Sequence, residues 1–237
     1  MTNFELNITM QCNIGCVNCN RLCNIYKDRT EHMSVEQIKK FVQHAKEIGG
    51  VKRVKVVGGE PLMHPNFSEI YDVLGEATDQ RIISCVKIDT NKTLPVPKLK
   101  PYQFMRWSGR HPRKKAHLPI LWSPLDLGYK TQGPCQQIRK CGFSLDKYGY
   151  LPCSLAIMFT RLFNKTHLYR HEFPKEPWGL EELCPDCVFS MDSEWRAKYS
   201  NRPPTEHTKE EREPTKSFKD ALEKFNVQEF YKTQKEF

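Results

Sequence analysis

The chain has 237 residues, with 37 basic and 28 acidic side chains, a formal charge of +9, and 38% hydrophobic content. That length holds one large domain or two small ones. No run of eighteen apolar residues occurs, which excludes a transmembrane helix, and Glu5 and Asn7 interrupt any apolar core a secretion signal would need; a soluble cytoplasmic protein is expected.

In chain order, Phe4 to Met10 alternates apolar and polar residues and reads as a first strand. It runs into a loop containing Cys12, Cys16 and Cys19, with Cys23 just beyond. Ser34 and Gln37 form a capping box, and Val35, Ile38, Phe41, Val42, Ala45 and Ile48 recur at helical spacing until Gly49-Gly50 ends the run. Residues 51–57 read as a second strand that leads into Gly58-Gly59-Glu60-Pro61. Asn66 with Glu69 opens a second helix, whose apolar face is Phe67, Ile70, Tyr71, Leu74 and Ala77. Residues 81–88 read as a third strand, followed by Asp89-Thr90-Asn91. The β-α-β-α-β order implies parallel strands with helical crossovers.

Beyond this the pattern weakens. Three prolines within residues 94–101 exclude a regular helix. Residues 104–107 read as a short fourth strand ending at Ser108-Gly109, and Ile120 to Trp122 as a candidate fifth. The basic run Arg110-His111-Pro112-Arg113-Lys114-Lys115 reads as a solvated loop or, alternatively, as a contact for phosphate or carboxylate. Residues 142–153 read as a hairpin turning at Asp146 to Gly149, with Cys141 and Cys153 at its ends. Residues 201–216 have the composition of a linker, and a last helix is expected around Phe218, Ala221, Leu222 and Phe225.

Ten cysteines in a cytoplasmic chain point to metal rather than disulfides. Four lie within residues 12–23, five within 135–187, and Cys85 stands between, a distribution that suits two metal sites. Three thiolates spaced C-x3-C-x2-C can hold three corners of a cubane iron–sulfur cluster. Four protein ligands are usual, so one iron would stay open to another molecule. With Cys23 included, four thiolates could instead bind zinc, or the thiols could be unliganded. The second strong motif, Gly58-Gly59-Glu60-Pro61, sits at the carboxyl end of a strand, where ligands bind in α/β sheets and where glycine lets the backbone approach them closely.

A Gly-Gly-Glu-Pro one helix after such a cysteine loop closely resembles the GGEP-type motif of radical S-adenosylmethionine (SAM) enzymes. The resemblance covers residues 4–125. It implies that the open iron takes the amino and carboxylate groups of SAM, and that Gly58, Gly59, Glu60 and Pro61 hold the SAM amino group. Thr90 and Asn91 are similar to the family's Thr-Asn pair, and Ser108 to a serine that contacts the ribose or carboxylate. Most members carry an aromatic residue just before the third cysteine. Here it is Asn18, whose amide or backbone is then expected at the adenine.

The second group, Cys141, Cys153, Cys184 and Cys187, resembles the C-terminal twitch domain. That domain is a shortened relative of the SPASM domain and binds one auxiliary [4Fe–4S] cluster. A zinc ribbon is the alternative, and Cys135 is close enough in sequence to replace one ligand. The expected fold is α/β: a reduced partial (β/α) barrel over residues 1–130, a small C-terminal cluster-binding β-hairpin domain over 131–200, and a linker with a helix over 201–237.

The resemblance implies SAM and two [4Fe–4S] clusters as cofactors, with reductive cleavage of SAM to a 5′-deoxyadenosyl radical that removes a substrate hydrogen. An auxiliary cluster that accepts the remaining electron would make the reaction a net oxidation, an oxidoreductase type of chemistry. Redox-neutral modification of a peptide or nucleotide is the alternative. A zinc- or cluster-stabilised nucleic-acid binder is the rival from another class. Expected partners are a substrate, of anionic character if the positive charge is a guide, and a reductant such as flavodoxin or ferredoxin. No membrane partner is expected, and nucleic acid is left open. No catalytic acid or base can be singled out.

Overall fold

The structure is a computed structural model describing residues 2–16, 19–25, 30–109, 120–131, 135–195, 208, 213–226, 229–230, 232 and 236–237. Its centre is a six-stranded sheet in the order β4-β3-β2-β1-β5-β6. The strands are β1 (Asn3–Thr9), β2 (Arg53–Gly58), β3 (Val86–Thr90), β4 (Met105–Gly109), β5 (Phe143–Asp146) and β6 (Gly149–Leu151). Every neighbouring pair is parallel except β5–β6. This is a mixed α/β fold dominated by parallel strands, consistent with the expected partial barrel.

The crossovers are α1 (Val35–Glu47) and α2 (Phe67–Asp79). Helix α1 starts as expected. Ser34 Oγ accepts from Gln37 N, and Gln37 Oε1 accepts from Ser34 N. Asn66 does not cap α2 through its side chain. Its backbone N–H donates instead to His64 Nδ1. Both helices lay their apolar stripes on Phe4, Leu6, Ile8, Val54, Val56 and Ile88 of the sheet. Burying each such side chain contributes about 1.5–3 kcal/mol. Ile120 and Leu121, expected as a fifth strand, lie in a buried turn; two apolar residues are too few to show a period.

The C-terminal hairpin also departs from expectation. It was expected in a separate small domain, but β5 pairs directly with β1, with Phe4 opposite Phe143, Glu5 opposite Ser144 and Leu6 opposite Leu145. The sheet therefore continues across the expected boundary at residue 130. Helices α3 (Gln136–Cys141), α4 (Ala156–Leu162), α5 (Leu180–Leu183) and α6 (Lys216–Lys224) follow in order. A second apolar layer joins Met10, Cys12, Leu22 and Cys23 to Ile157, Phe159, Leu183, Cys187 and Phe218. The first cysteine loop thus rests on the C-terminal part of the chain. Beneath it, fully buried Arg161 of α4 reaches Glu31 (2.6 and 3.0 Å) and Asp146 (2.7 Å), and Tyr169 donates to Asp146 at 2.8 Å. No helix among the described residues is long and apolar enough to cross a membrane.

Candidate functional site

The two strong motifs meet at the carboxyl end of β1 and β2. Gly59 N donates to Thr9 O at 2.7 Å, and Glu60 N to Gln11 O at 2.8 Å, extending the β1–β2 ladder into the cysteine loop. Gly58 has φ +141, and a Cβ there would stand 2.2 Å from Thr9 O. At Gly59 a Cβ would stand 2.0 Å from Gln11 O and 2.9 Å from Cys12 Cβ. Only glycine permits that approach, so the pair holds the cysteine loop against the sheet.

Glu60 is fully buried and its carboxylate is used internally. Oε1 accepts from Leu62 N at 3.1 Å and Oε2 from Asn91 N at 2.6 Å. It staples the end of β3 to the loop begun at Pro61, a role that spacing alone did not reveal. Any ligand held by this motif meets its backbone rather than the Glu60 side chain. Asn91 sits against the cysteine loop, its Nδ2 2.9 Å from Asn13 Oδ1 and 4.0 Å from Cys12 Sγ. Thr90 Oγ1 turns inward to accept from Lys92 N. Ser108 lies opposite Asp89 on the β3–β4 ladder, where, against the opposing effect of burial, Lys55 first and the Ser108 hydroxyl with it hold the Asp89 carboxyl below its usual range. Asn18 and the 110–117 basic loop lie outside the described residues.

Cys12, Cys16 and Cys19 lie within electrostatic reach of one another. Burial, together with the neighbouring Cys19 and Glu60, raises the Cys12 thiol. Burial and the other two sulfurs push Cys16 up to about 11. A hydrogen bond from Cys23 holds Cys19 down to about 6 and raises Cys23 well above its ordinary value. Cys12 and Cys16, which resist ionisation through burial and mutual repulsion, would be relieved by bound cationic iron, and Cys19 is already inclined to the thiolate, so this donor set fits an iron–sulfur cluster. Cys23 thus sits against Cys19 instead of standing apart. Among the described residues no three Cys, His, Asp or Glu side chains converge on a single-ion coordination sphere. One zinc with Zn–S of about 2.3 Å would draw its sulfurs to about 3.8 Å apart.

Below the loop, the sheet's inner face carries a polar row that no sequence motif marks. Alternation puts Glu5, Asn7, Lys55, Lys87, Asp89, Arg106 and Ser144 on the face opposite the apolar core, and that alternation was the available signal. Lys55 bridges Glu5 (3.1 Å) and Asp89 (2.9 Å). Arg21, from the cysteine loop, reaches Glu5 at 2.5 Å and Asn7 Oδ1 at 2.7 Å. Burial alone would raise the Glu5 carboxyl, but Arg21 and Lys55 outweigh it and hold it below the usual range. Asn7 Nδ2 is buried with no acceptor among the described residues, a donor left open beneath the cysteine loop.

In the second group the charges of Cys135, Cys153, Cys184 and Cys187 bear on one another, but among the described residues no three of them gather as a metal-binding set. Burial first, then the Cys135 and Cys184 sulfurs, push Cys153 up to about 12. Burial and Cys135 push Cys184 up to about 11, and Cys187 feels burial, Cys153, Cys135 and Cys184. Cys141 faces Glu5, Lys55, Ser154 and Gln137.

Residues 6–106 match the Radical SAM superfamily. The probable GTP 3′,8-cyclase of Pyrococcus abyssi is 36% identical over 70 residues, 30% of this chain and 22% of that protein. The GTP 3′,8-cyclase of a Synechocystis strain is 27% identical over 78 residues, 33% and 24% of the two chains. The chain thus spans about a fifth of the length of these curated relatives. Among solved structures, Streptococcus suis SuiB bound to precursor peptide SuiA is similar over 45% of this chain and 23% of that one, at 19% identity and TM-score 0.37. BtrN in complex with AdoMet and 2-DOIA is similar over 40% and 38%, at 20% identity and TM-score 0.35. The cysteine loop, the Gly-Gly-Glu-Pro turn and strands β2 and β3 fall within residues 6–106, the segment that is similar to the Radical SAM superfamily.

Proposed function

We propose that this chain binds SAM and a [4Fe–4S] cluster at Cys12, Cys16 and Cys19 and uses them to remove a hydrogen atom from a substrate held over the inner face of the sheet. When bound, the pair supplies reductive cleavage of SAM to a 5′-deoxyadenosyl radical. The observation that carries this reading is the backbone junction of Gly59 and Glu60 with Thr9 and Gln11, which makes the two motifs one site. Backbone groups of residues 58–61 and the Asn91 amide lie beside Cys12, where they would orient the SAM amino group. Ser108 and the Lys55–Asp89 pair line the face below. The Arg21–Glu5–Asn7 cluster closes the floor and keeps water from that side of the loop.

The second cysteine group supports a further step, net oxidation, because a thiolate-bound cluster can accept one electron from the substrate. A redox-neutral rearrangement of a nucleotide is the second reading, favoured by the names of the relatives, which are cyclases. A cytoplasmic setting and a reductant of the flavodoxin or ferredoxin kind remain part of the proposal.

The test is anaerobic reconstitution with iron, sulfide, SAM and dithionite. 5′-Deoxyadenosine is expected from the wild-type chain, and none above background from the Cys12→Ala/Cys16→Ala/Cys19→Ala variant. A wild-type chain that takes up no iron and releases no 5′-deoxyadenosine would sink the reading.

A further inference from the structure

Strand pairing puts three cations side by side on the inner face. Lys55 of β2 stands opposite Lys87 of β3, and Lys87 opposite Arg106 of β4. Burial fixes the face. Val54, Val56, Val86, Ile88 and Met105 lie in the apolar core, so Lys55, Lys87 and Arg106, next to them in sequence, face the other way. Neighbouring strands lie about 4.8 Å apart, so the row spans about 10 Å. Like charges directly opposite one another destabilise a sheet. Such a row needs anions to balance it.

The chain supplies them for only part of the row. Glu5 pairs with Arg21 at 2.5 Å and with Lys55 at 3.1 Å, and Asp89 pairs with Lys55 at 2.9 Å. Lys55 is therefore satisfied from both sides. Lys87 stands 4.0 Å from Asp89, at the outer limit of an ion pair, and its side chain is 39% exposed. Arg106 is exposed and has no carboxylate partner among the described residues. Arg53, the next cation on that face of β2, is engaged by the Lys140 carbonyl. Arg21, Lys55, Lys87 and Arg106 thus face only Glu5 and Asp89, and the charge left over is on Lys87 and Arg106.

Their position suits one end of a bound molecule. Asp89 and Ser108 lie two residues further along the same two strands and on the same face, about 7 Å nearer the strand ends. Beyond those ends Asn91 meets Asn13 of the cysteine loop at 2.9 Å. A group held by Lys87 and Arg106 would sit deep on the face, with the rest of its molecule reaching toward that loop. Two unbalanced cations match a phosphate ester, which carries about −1.5 to −2 near neutral pH, better than a single carboxylate. The arginine fork takes two phosphate oxygens, and the lysine ammonium can take a third.

We propose that Lys87 and Arg106 form an anion subsite on the inner face of the sheet, which holds a phosphate group of the substrate and turns the rest of the molecule toward the cysteine loop. That the phosphate belongs to a substrate rests on the reading of this face as part of a SAM-dependent radical site. The binding of phosphate does not.

The probe is radiolabelled inorganic phosphate, measured by equilibrium dialysis against the reconstituted full chain. The salt is about 0.15 M, which screens exposed charges beyond about 8 Å. Saturable binding is expected. Lys87→Gln/Arg106→Gln should weaken it about tenfold or more, through the loss of two charge-assisted contacts. Lys46→Gln/Lys98→Gln removes the same charge from exposed positions off the sheet and should leave the affinity nearly unchanged. Methyl phosphate should displace the label, and acetate at the same concentration should not.

Equal losses in the two double variants would mean diffuse attraction to net charge and would overturn the subsite. A wild-type chain without saturable binding, or acetate competing as well as methyl phosphate, would overturn it too. Thermal midpoints separate binding from folding. Without phosphate, relief of the like-charge row should leave Lys87→Gln/Arg106→Gln at least as stable as the wild type. Added phosphate should raise the wild type alone, and an equal rise in both would defeat the proposal. A chain that binds phosphate through these two residues yet releases no 5′-deoxyadenosine would keep the subsite and sink the radical reading. The opposite result would sink the subsite alone.

Discussion

The two cysteine groups are built in different ways. In the first, Cys12, Cys16 and Cys19 lie within eight residues on a loop that the Gly58-Gly59 backbone holds to the sheet. In the second, the cysteines are drawn from the two ends of a helix, a position just after a hairpin and a turn, spread over residues 135–187. A local site depends on backbone fit at one junction. A dispersed site depends on the segments being docked onto each other, and here the docking runs through the hairpin, α4 and the buried charges beneath them.

Arg161 gives the largest expected effect on that docking. Arg161→Met leaves the Glu31 and Asp146 carboxylates buried without their cation. Burial already lifts the Glu31 carboxyl above its usual range despite Arg161. Breaking a buried pair from one side costs about 3–5 kcal/mol. Urea unfolding should show a loss of that size, and of the two proposed metal sites the second should lose iron first. An unchanged midpoint would mean that α4 does not carry the docking.

His64 lies on the N-terminal side and makes a pH test. Its Nδ1 accepts from Asn66 N at 3.0 Å, so Nε2 carries the proton and donates to Met33 O at 2.8 Å. Burial, with nearby His32 adding to it, lowers the ring to about 4 despite the Met33 carbonyl. Because the folded value is depressed, the unfolded chain takes up the proton first as pH falls. The neutral ring's contribution is therefore intact above about pH 6.5 and is lost progressively down to about 4. At 1.36 kcal/mol per pH unit that is about 3 kcal/mol. Urea midpoints measured from pH 7.5 to 4.5 should fall more steeply for the wild type than for His64→Leu; parallel slopes would refute the assignment.

The smallest effect is expected at Gly59, where its location is the informative part. Gly59→Ala must move the Gln11 carbonyl or the Cys12 side chain, and overpacking of this kind costs about 1–3 kcal/mol. SAM-dependent 5′-deoxyadenosine release should fall at least tenfold, while the iron proposed for the second cysteine group stays constant. Loss of iron from both sites together would mean that the two regions fold as one unit and that the contrast between them is false.

Much of the first region was legible in the sequence because its determinants are short-range. The Ser34–Gln37 box and the stripe Val35, Ile38, Phe41 and Ala45 act within a few residues of themselves, and the strand-end glycines are legible from their place after β2 even though they act on Thr9 and Gln11. The polar row on the inner face was written in the same alternation, yet its meaning required knowing which strands are neighbours. Glu5 meets Lys55 only because β1 lies beside β2, and Lys55 meets Asp89 only because β2 lies beside β3.

The C-terminal half was less legible. Hairpin spacing correctly joined Phe143–Asp146 to Gly149–Leu151, but nothing local told β5 to pair with β1. That pairing follows from matching apolar faces, Phe143 and Leu145 against Phe4 and Leu6, which residues 139 positions apart can satisfy only in the folded chain.

The sequence by itself determined the β-α-β-α-β order, the C-x3-C-x2-C loop with its Gly-Gly-Glu-Pro companion, and the existence of a second cluster of cysteines. Tertiary structure alone decided that the hairpin joins the main sheet, that Glu60 spends its carboxylate on the backbone, and that Lys55 lies between Glu5 and Asp89. The reason is directional. Spacing along a chain limits how far apart two side chains can lie, but which way each points is set by the helix end or strand face that carries it, and by the partner that pins that end in place.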